Sequence, residues 1–358
     1  MTVGDAARPP APRRSVVRRT RRQIRHLRQP GGVRRAVRLR LSTQRAFVEL
    51  NHDHRRCLYL AGSRRSGTSW LSEVLCERYR CRFVLEPFRH DRSVRGADWF
   101  TYGRYLAPGT SAPEVEAFVG RVLAGRVRSV WSDRENQVRF VRRRLVKDVW
   151  QNTLVPWMAG RFPDLPVVYL LRHPLASASS AASMRWDLFF ESMLAETALF
   201  AGPLRDVAGL VPDMAADPDP VVPHVLRWCI ENAVLTRLLD PSRTLLLFFE
   251  DLVDDAPREL ARIDAYLERV GPGRFRVRGA EPASLGRSSL SDYRQESGAP
   301  GGPSGEERLT RWTRELSDPT VARCLEVVDA FGLGRVYGRD PRPLVAATEV
   351  LGAGRVPA

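Results

Sequence analysis

The sequence predicts an α/β fold, a P-loop-like three-layer arrangement in which a central parallel sheet is covered by helices on both faces. Short, continuous apolar runs alternate with helical patterns along the 358 residues, which is typical of parallel strands buried on both faces. Chemically capable residues lie where these runs end, and open parallel sheets place their ligands at that edge. A hydrophobic content of 43% is sufficient for such a core.

The strands and helices are placed by apolar runs, by hydrophobic periodicity and by proline and glycine signals. The strands are expected at residues 57–62, 81–86, 143–148, 165–172 and 243–250. The helices are expected at residues 68–79, 152–161, 186–208, 222–239, 256–270 and 306–332, with a further helix starting at Pro174. Between the second and third strands, residues 91–142 are interpreted as an insertion with helical patterns at 113–126 and 132–142.

The chain divides by composition into an arm, one large domain and a tail. Residues 1–50 carry 14 arginines against Asp5 and Glu49, so most of the net charge of +16 belongs to this segment. We expect a disordered basic arm at 1–50, one large folded domain at 51–340 and an irregular tail at 341–358. Such an arm is attracted to polyanions, and we expect at most a weak contact with an anionic surface and no specific nucleic acid.

Bulk features indicate a reducing, aqueous compartment. The sequence contains no run of 18 apolar residues, which predicts no transmembrane segment, and no secretory signal is recognisable near its start. Five scattered cysteines form no paired metal-ligand pattern, so buried reduced thiols are expected. These features together favour the cytoplasm.

The segment LAGSRRSGTSWLSEVL, residues 60–75, reads as a strand, a loop bracketed by glycines and a helix start. Its spacing is nearly that of a nucleotide-binding P-loop, but Thr68 stands where the lysine belongs. Backbone amides before a helix N-terminus form a cradle for an anion, and Arg65, Ser66, Thr68 and Ser69 add side-chain donors. A sulfuryl group carries less charge than the γ-phosphoryl group of ATP, so a loop without lysine and without a metal ion suits a phosphosulfate.

Two motifs resemble those of sulfotransferases that use 3′-phosphoadenylyl sulfate (PAPS). RRSGTSWL resembles the family's 5′-phosphosulfate loop, and LLRHPLASASS resembles its 3′-phosphate motif. A later stretch, LLFFEDLVDDAPRELARIDAYLE, is also similar to the family, and the likeness covers about residues 55–335. The resemblance implies PAPS as sulfuryl donor, no metal requirement and a sulfate ester as product.

The resemblance also assigns residues to the donor. It implies that Arg65, Ser66, Gly67, Thr68 and Ser69 hold the 5′ end and that Trp70 stacks on adenine. Arg172 and Ser180 would hold the 3′-phosphate, for which the forked donors of arginine are well suited. Ser177, Ser179 and Ser183 are alternatives to Ser180.

Lys147 is the single lysine among 57 basic residues, and it ends a predicted strand. The family places a lysine here, beside the transferred group, where it neutralises charge on the leaving oxygen together with Arg65. The family's catalytic histidine position is Val149, however. Carbohydrate-type members place a glutamate after the second strand, so Glu86 is the expected general base, with Asp148 and His90 as alternatives.

Three further groups of residues have expected roles. Glu250 and Asp251 are adjacent at a strand end and are expected to be structural. Arg287, Ser288 and Ser289 are candidates to close over the nucleotide. The insertion at 91–142 is the expected acceptor lid and contains Trp99, Phe100, Tyr102 and Tyr105.

The expected activity is therefore transfer of a sulfuryl group to the hydroxyl of a small-molecule or glycan acceptor, and glutamate as base favours a sugar or another alcohol. Two alternatives stay open. One is a small-molecule P-loop kinase, which predicts magnesium-dependent ATP binding. The other is a polyanion- or nucleic-acid-binding protein acting through residues 1–50, which predicts a steep loss of binding with salt.

Overall fold

A five-stranded, all-parallel sheet forms the centre of the protein, as predicted. The computed structural model describes residues 46–92, 94–184, 188, 190–277, 282 and 305–351. The strands, with two short flanking ones, are β1 (Val48–Glu49), β2 (Cys57–Gly62), β3 (Arg82–Leu85), β4 (Phe140–Val141), β5 (Arg144–Asp148), β6 (Val167–Leu171) and β7 (Thr244–Phe248). Their spatial order is β3-β5-β2-β6-β7, so the strand before the glycine-bracketed loop is central.

Helices cover both faces of the sheet. In the described residues they are α1 (Thr68–Tyr79), α2 (Pro113–Leu123), α3 (Val155–Arg161), α4 (Pro174–Ser183), α5 (Phe190–Leu194), α6 (Thr197–Ala201), α7 (Val211–Ala215), α8 (Val222–Leu238), α9 (Phe249–Asp254), α10 (Ala256–Val270), α11 (Gly305–Glu315) and α12 (Asp318–Ala330). No helix of the described residues has the length and apolar character needed to cross a membrane.

The alternation of side chains along each strand creates two separate cores. On β2, Leu58 and Leu60 pack with α1, α9 and α10, whereas Tyr59 and Ala61 pack with α2, α3, α4, α8 and α12 on the other face. Both faces are fully buried, which explains why the strands have uninterrupted apolar sequences. The chain runs from β2 to the edge at β3, returns to β5 and then crosses to β6, so a topological switch point lies beside β2.

The boundary of the basic arm at residue 50 is wrong. Residues 46–50 belong to the folded body, because β1 pairs with β4 and Glu49 forms buried ion pairs with Arg82 and Arg144. The arginines lie at the N-terminal ends of β3 and β5, so this segment fastens the edge of the sheet opposite the loop. The rest of the predicted arm, residues 1–45, lies outside the described residues.

Several predicted helices differ from the observed ones. Residues 132–142 are not helical: turns lead into β4, because strand pairing with β1 replaces the local helical preference. Within 186–208, α6 ends at Ala201, before Gly202 and Pro203, which interrupt a helix. The predicted helix at 306–332 is two helices, since Ser317 caps α12 with its side chain and Pro319 occupies its first turn.

The cysteines are all unpaired, as expected. Four are buried and Cys76 is partly buried.

Candidate active site

The loop at residues 63–67 joins β2 to α1 at the centre of the sheet. Arg65 and Gly67 have positive φ angles of 66° and 93°, which turn the backbone sharply before the helix. Ser63 O accepts bonds from Ser66 N at 3.2 Å and from Ser66 Oγ at 2.6 Å, and these close the turn. A Cβ at Gly67 would lie 2.5 Å from the ring of Phe249, so this position is restricted to glycine by conformation and by packing.

Buried polar groups fix the start of the loop. Ser63 Oγ donates to Glu231 Oε2 at 2.6 Å and accepts from Asn232 Nδ2 at 2.9 Å, which ties the loop to α8. The side-chain amide of Asn152 accepts from Gly62 N at 3.3 Å and donates to Gly62 O at 3.0 Å. A fully bonded buried network of this kind holds one backbone geometry. The loop is therefore rigid where it leaves β2.

The two resembling motifs, far apart in sequence, are in direct contact. Arg172 Nη1 donates to Arg65 O at 2.7 Å, and Arg65 Nε donates to Ser180 Oγ at 2.9 Å. Arg172 Nη2 donates to Arg308 O at 2.7 Å. The guanidinium carbon of Arg172 lies 4.6 Å from the ring centre of Phe249. The tertiary structure thus brings Arg65, Arg172 and Ser180 together at one edge of the sheet.

The guanidinium of Arg172 is charged and has a donor that is available to an anion. Burial lowers the pKa of its guanidinium to about 10, and Glu250 acts in the opposite direction, so the group stays charged at neutral pH. Its Nε is buried without a hydrogen-bond partner. A buried charged donor without a partner is costly, and a phosphate oxygen is the acceptor that arginine geometry suits best.

Among the four candidate serines of α4, Ser180 is the one bonded to Arg65. Ser179 Oγ donates to Glu315 Oε2 at 2.8 Å, and Ser183 Oγ donates to Ser180 O at 3.2 Å. Ser177 Oγ is buried and has no hydrogen-bond partner.

Lys147 and Glu86 lie together at the ends of β5 and β3. Lys147 Nζ donates to Glu86 Oε1 at 2.7 Å, and Arg89 Nη1 donates to Glu86 Oε2 at 3.1 Å. Lys147 and Glu86 are 4% and 7% exposed. Burial alone would raise the pKa of Glu86, but the charges of Lys147 and Arg89 outweigh it and lower the pKa to about 2. Glu86 is therefore a carboxylate at every physiological pH.

The two alternative bases are placed differently. Asp148 Oδ1 accepts from Trp150 N and Gln151 N, both at 2.7 Å, while its Oδ2 is buried without a partner. Burial and the nearby charge of Glu86 raise the pKa of Asp148 to about 7. His90 Nδ1 lies 3.0 Å from Phe100 O.

Arg64, Arg89 and Trp150 were not predicted as site residues. The guanidinium carbon of Arg89 lies 4.4 Å from the ring centre of Trp150, and that of Arg64 lies 5.3 Å from it. Two signals were available in the sequence, because Arg64 lies within the glycine-bracketed loop and Arg89 follows Glu86 by three residues. Trp150 and the α8 residues that hold the loop have no comparable local signal.

The aromatic residues of the insertion at 91–142 lie in or against the hydrophobic core. Phe100, Tyr102 and Tyr105 are buried, and Trp99 is partly buried against the same core. The hydroxyl of Tyr102 donates to Glu231. Tyr102 therefore packs behind the loop, because Glu231 also holds Ser63 of that loop. Trp70, in the first turn of α1, is partly buried and packs beside the core on the α1 face.

Glu250 has a structural role. Its carboxylate accepts from His173 N at 2.9 Å and from the Tyr337 hydroxyl at 3.0 Å, joining the end of β6 to the C-terminal region. Burial raises its pKa to about 7. The predicted nucleotide-closing residues Arg287, Ser288 and Ser289 lie outside the described residues. Within the described residues, no three His, Cys, Asp or Glu side chains are grouped closely enough to hold a metal ion.

No protein-family model matches the chain, and no curated protein matches it in sequence. Among solved structures it is similar to the sulfotransferase domain from the curacin biosynthetic pathway, at 14% identity and a TM-score of 0.39, over 77% of this chain and 97% of that one. It is also similar to the sulfotransferase domain of the Synechococcus PCC 7002 olefin synthase, at 15% identity and a TM-score of 0.39, over 77% and 94%. A third is retinol dehydratase in complex with androsterone and inactive cofactor PAP, at 16% identity and a TM-score of 0.32, over 77% and 80%. Similarities this distant assign no activity to this chain.

Proposed function

We propose that this protein is a sulfotransferase that moves a sulfuryl group from PAPS to an acceptor hydroxyl, giving a sulfate ester and adenosine 3′,5′-bisphosphate. The observation that carries the proposal is the contact of Arg65 with both Arg172 and Ser180 at the carboxyl edge of the sheet. It joins the two motifs that resemble the family's 5′- and 3′-phosphate sites. One adenosine carrying two anionic ends is the ligand that such a pair would hold.

The chain's own residues fit this donor. The amides of residues 63–67 and the N-terminus of α1 would hold the 5′ phosphosulfate, with Ser66, Thr68 and Ser69 as further donors. Arg172, with its unbonded Nε, and Ser180 would hold the 3′-phosphate. Trp70 would stack on adenine. Thr68 in the lysine position suits a 5′ phosphosulfate, which is less charged than the triphosphate of ATP.

The donor supplies an electrophilic sulfuryl group. The protein supplies a base for the acceptor's proton and cations that neutralise the charge on the leaving group. Glu86 would take the proton of the acceptor hydroxyl as that oxygen bonds to sulfur. Lys147 and Arg65 would neutralise the charge that the departing phosphate oxygen acquires. A carboxylate with a pKa of about 2 is a weak base. We therefore expect the donor's negative charge to draw Lys147 away from Glu86 and so raise the pKa of Glu86.

Asp148 is the second candidate for the base. Its pKa of about 7 suits proton transfer, but Oδ1 is engaged by two backbone amides and the residue is 1% exposed. Glu86 is preferred because it adjoins Lys147 directly. The resemblance to carbohydrate-type members favours a sugar or another alcohol as acceptor. The scattered, unpaired cysteines favour the cytoplasm. The arginines of residues 1–45 favour a weak contact with an anionic surface.

Thermal stabilisation tests the donor assignment. Adenosine 3′,5′-bisphosphate should raise the melting temperature, and ATP with magnesium should not. Arg172→Ala should abolish this shift, whereas Arg161→Ala, which removes an arginine paired with Glu116 at the surface, should retain it. Stabilisation by magnesium-ATP instead would favour the kinase alternative.

Transfer itself is tested with radiolabelled PAPS and an extract of candidate acceptors. A labelled ester should form with the full chain and equally with a chain lacking residues 1–45. Loss of every function on removal of those residues, together with steep salt dependence, would favour the polyanion-binding alternative.

A further inference from the structure

Arg227, on α8, is a buried cation with unused donors. It is 1% exposed, and neither its Nε nor its Nη1 has a hydrogen-bond partner. It forms an ion pair with Glu231, one helical turn later, but the Nε to Oε1 distance of 3.9 Å is too long for a hydrogen bond. Buried polar atoms are nearly always bonded, so two such donors on one charged side chain require an explanation.

Two more basic side chains lie close enough to Arg227 to interact with its charge. Arg64 is 6% exposed, and its guanidinium carbon lies 4.8 Å from the ring centre of Tyr102. His224 is 5% exposed and its Nδ1 has no hydrogen-bond partner. Burial, followed by the charges of Arg227 and Arg64, lowers the pKa of His224 to about 4, so its imidazole is neutral. We call Arg64, His224 and Arg227 the buried basic cluster.

Glu231 does not satisfy the donors of Arg227. Its Oε2 accepts from Ser63 at 2.6 Å and from Asn152 at 3.1 Å, and its Oε1 accepts from the hydroxyl of Tyr102. The carboxylate is therefore occupied in fixing the loop. The Nε and Nη1 donors of Arg227 therefore stay without a hydrogen bond in the interior. Leaving buried donors of a charged group unbonded is unfavourable, so a bound anion would relieve a cost already built into the fold.

The buried basic cluster adjoins the proposed reaction centre. The guanidinium carbons of Arg64 and Arg89 lie 5.3 Å and 4.4 Å from the ring centre of Trp150, and Arg89 binds Glu86. Glu86 is also among the charges that act on Arg64. A molecule with its hydroxyl at Glu86 could therefore place a second group at Arg227.

We infer that the acceptor is a hydroxylated acid, whose carboxylate or phosphate group is held by the buried basic cluster while its hydroxyl reaches Glu86. The inference rests on the proposed function and narrows its acceptor class. Guanidinium groups suit both carboxylate and phosphate oxygens, because each offers paired acceptors.

Anion binding is measured with the donor site already filled. With saturating adenosine 3′,5′-bisphosphate, inorganic phosphate or acetate should raise the melting temperature of the wild-type protein further, and the more effective ion identifies the preferred group. Arg227→Gln should lose this second shift and keep the first. Arg323→Gln, an exposed arginine of α12, is the control and should keep both.

Stability separates a binding role from a structural one. Without added anion, Arg227→Gln should be as stable as the wild type or more so, since the Nε and Nη1 donors of Arg227 make no hydrogen bond and Glu231 keeps its three other donors. A large loss of stability would mean that Arg227 holds the fold together and would overturn the inference.

Kinetics provide an independent readout. With 3-hydroxybutyrate as acceptor, Arg227→Gln should raise KM at least tenfold, and with its methyl ester KM should not change. An equal effect on both acceptors, or no second shift in the wild type, would refute the inference alone. Loss of the nucleotide shift in Arg227→Gln would assign the cluster to the donor site. Absence of any nucleotide shift in the wild type would instead refute the proposed function.

Discussion

Lys147 Nζ and Glu86 Oε1 lie 2.7 Å apart, so the chain's single lysine is bound to the carboxylate that follows the neighbouring strand. The backbone creates this contact, because Glu86 N donates to Lys147 O at 2.8 Å and Leu85 pairs with Lys147 in the sheet. Both groups are buried, and Arg89 completes the pairing of Glu86. The ion pair is the resting state from which the proposed proton transfer begins.

Glu86→Gln should lower kcat by about 10²- to 10⁴-fold, the usual range for loss of a general base. It should also destabilise the protein by about 3–5 kcal/mol, because Lys147 and Arg89 lose their buried counter-charge. Urea unfolding at pH 7 and initial rates measure the two effects. The double variant with Lys147→Met should regain part of the stability and none of the activity. A fully active Glu86→Gln enzyme would remove Glu86 from the mechanism.

Glu86 should also make stability depend on acidity. Its folded pKa of about 2 lies below the ordinary value of 4.5, so its contribution is present above pH 4.5 and disappears as the pH falls towards 2. Chemical denaturation of the wild type and Glu86→Gln at pH 7, 4.5 and 3 should therefore give a difference that shrinks with acidification. A constant difference across this range would contradict the lowered pKa.

Asp148 should have the opposite effect on the pH dependence of stability. Its pKa is raised to about 7, so the folded state binds a proton more tightly than the unfolded state, and stability is lost as the pH rises from about 4 to 7. Asp148→Asn retains an oxygen for the amides of Trp150 and Gln151 but cannot ionise. It should be more stable than the wild type at pH 8, by on the order of 1–4 kcal/mol, and equal to it near pH 4. A variant that is less stable at pH 8 would show that the carboxylate is needed charged.

The first folded residues can be located by truncation. A chain beginning at residue 46 should be as stable as the full one, whereas a chain beginning at residue 51 loses Glu49 and leaves Arg82 and Arg144 without one of their buried partners. We expect a loss of about 3–5 kcal/mol, measured by urea unfolding. Glu49→Gln in the full chain should reproduce most of it. Equal stability of the two truncated chains would restore a boundary at residue 50.

Gly67→Ala should abolish binding of adenosine 3′,5′-bisphosphate. The residue has a φ of 93°, and the added methyl group would meet the ring of Phe249 at 2.5 Å, so the loop and α1 must shift. Gly109→Ala is a matched control, because its φ is 86° and nothing lies within 4 Å of the added group. Isothermal calorimetry should show normal binding for the control alone. If both variants bind normally, the loop does not hold the nucleotide.

The local elements were predictable where the sequence alone restricts the backbone. The limits of β2, α1 and α10 agree with the predicted limits, because an apolar run, a glycine-bracketed turn and a strong amphipathic period fix them locally. The segment 132–142 was mispredicted because its strand exists only through pairing with β1, which lies some ninety residues earlier in the chain. Strand propensity depends on such partners more than helix propensity does.

The sequence by itself determined the parallel sheet, the loop at 63–67 and the placing of Glu86, Lys147 and Arg172 at strand ends, since apolar periodicity and glycine positions act over a few residues. Only the tertiary structure decided that Arg172 contacts Arg65, that Lys147 is held by Glu86, and that Arg227 is left buried with unused donors. These contacts join residues between 61 and 107 positions apart or depend on the packing of α8, and long-range packing leaves no local pattern in a sequence.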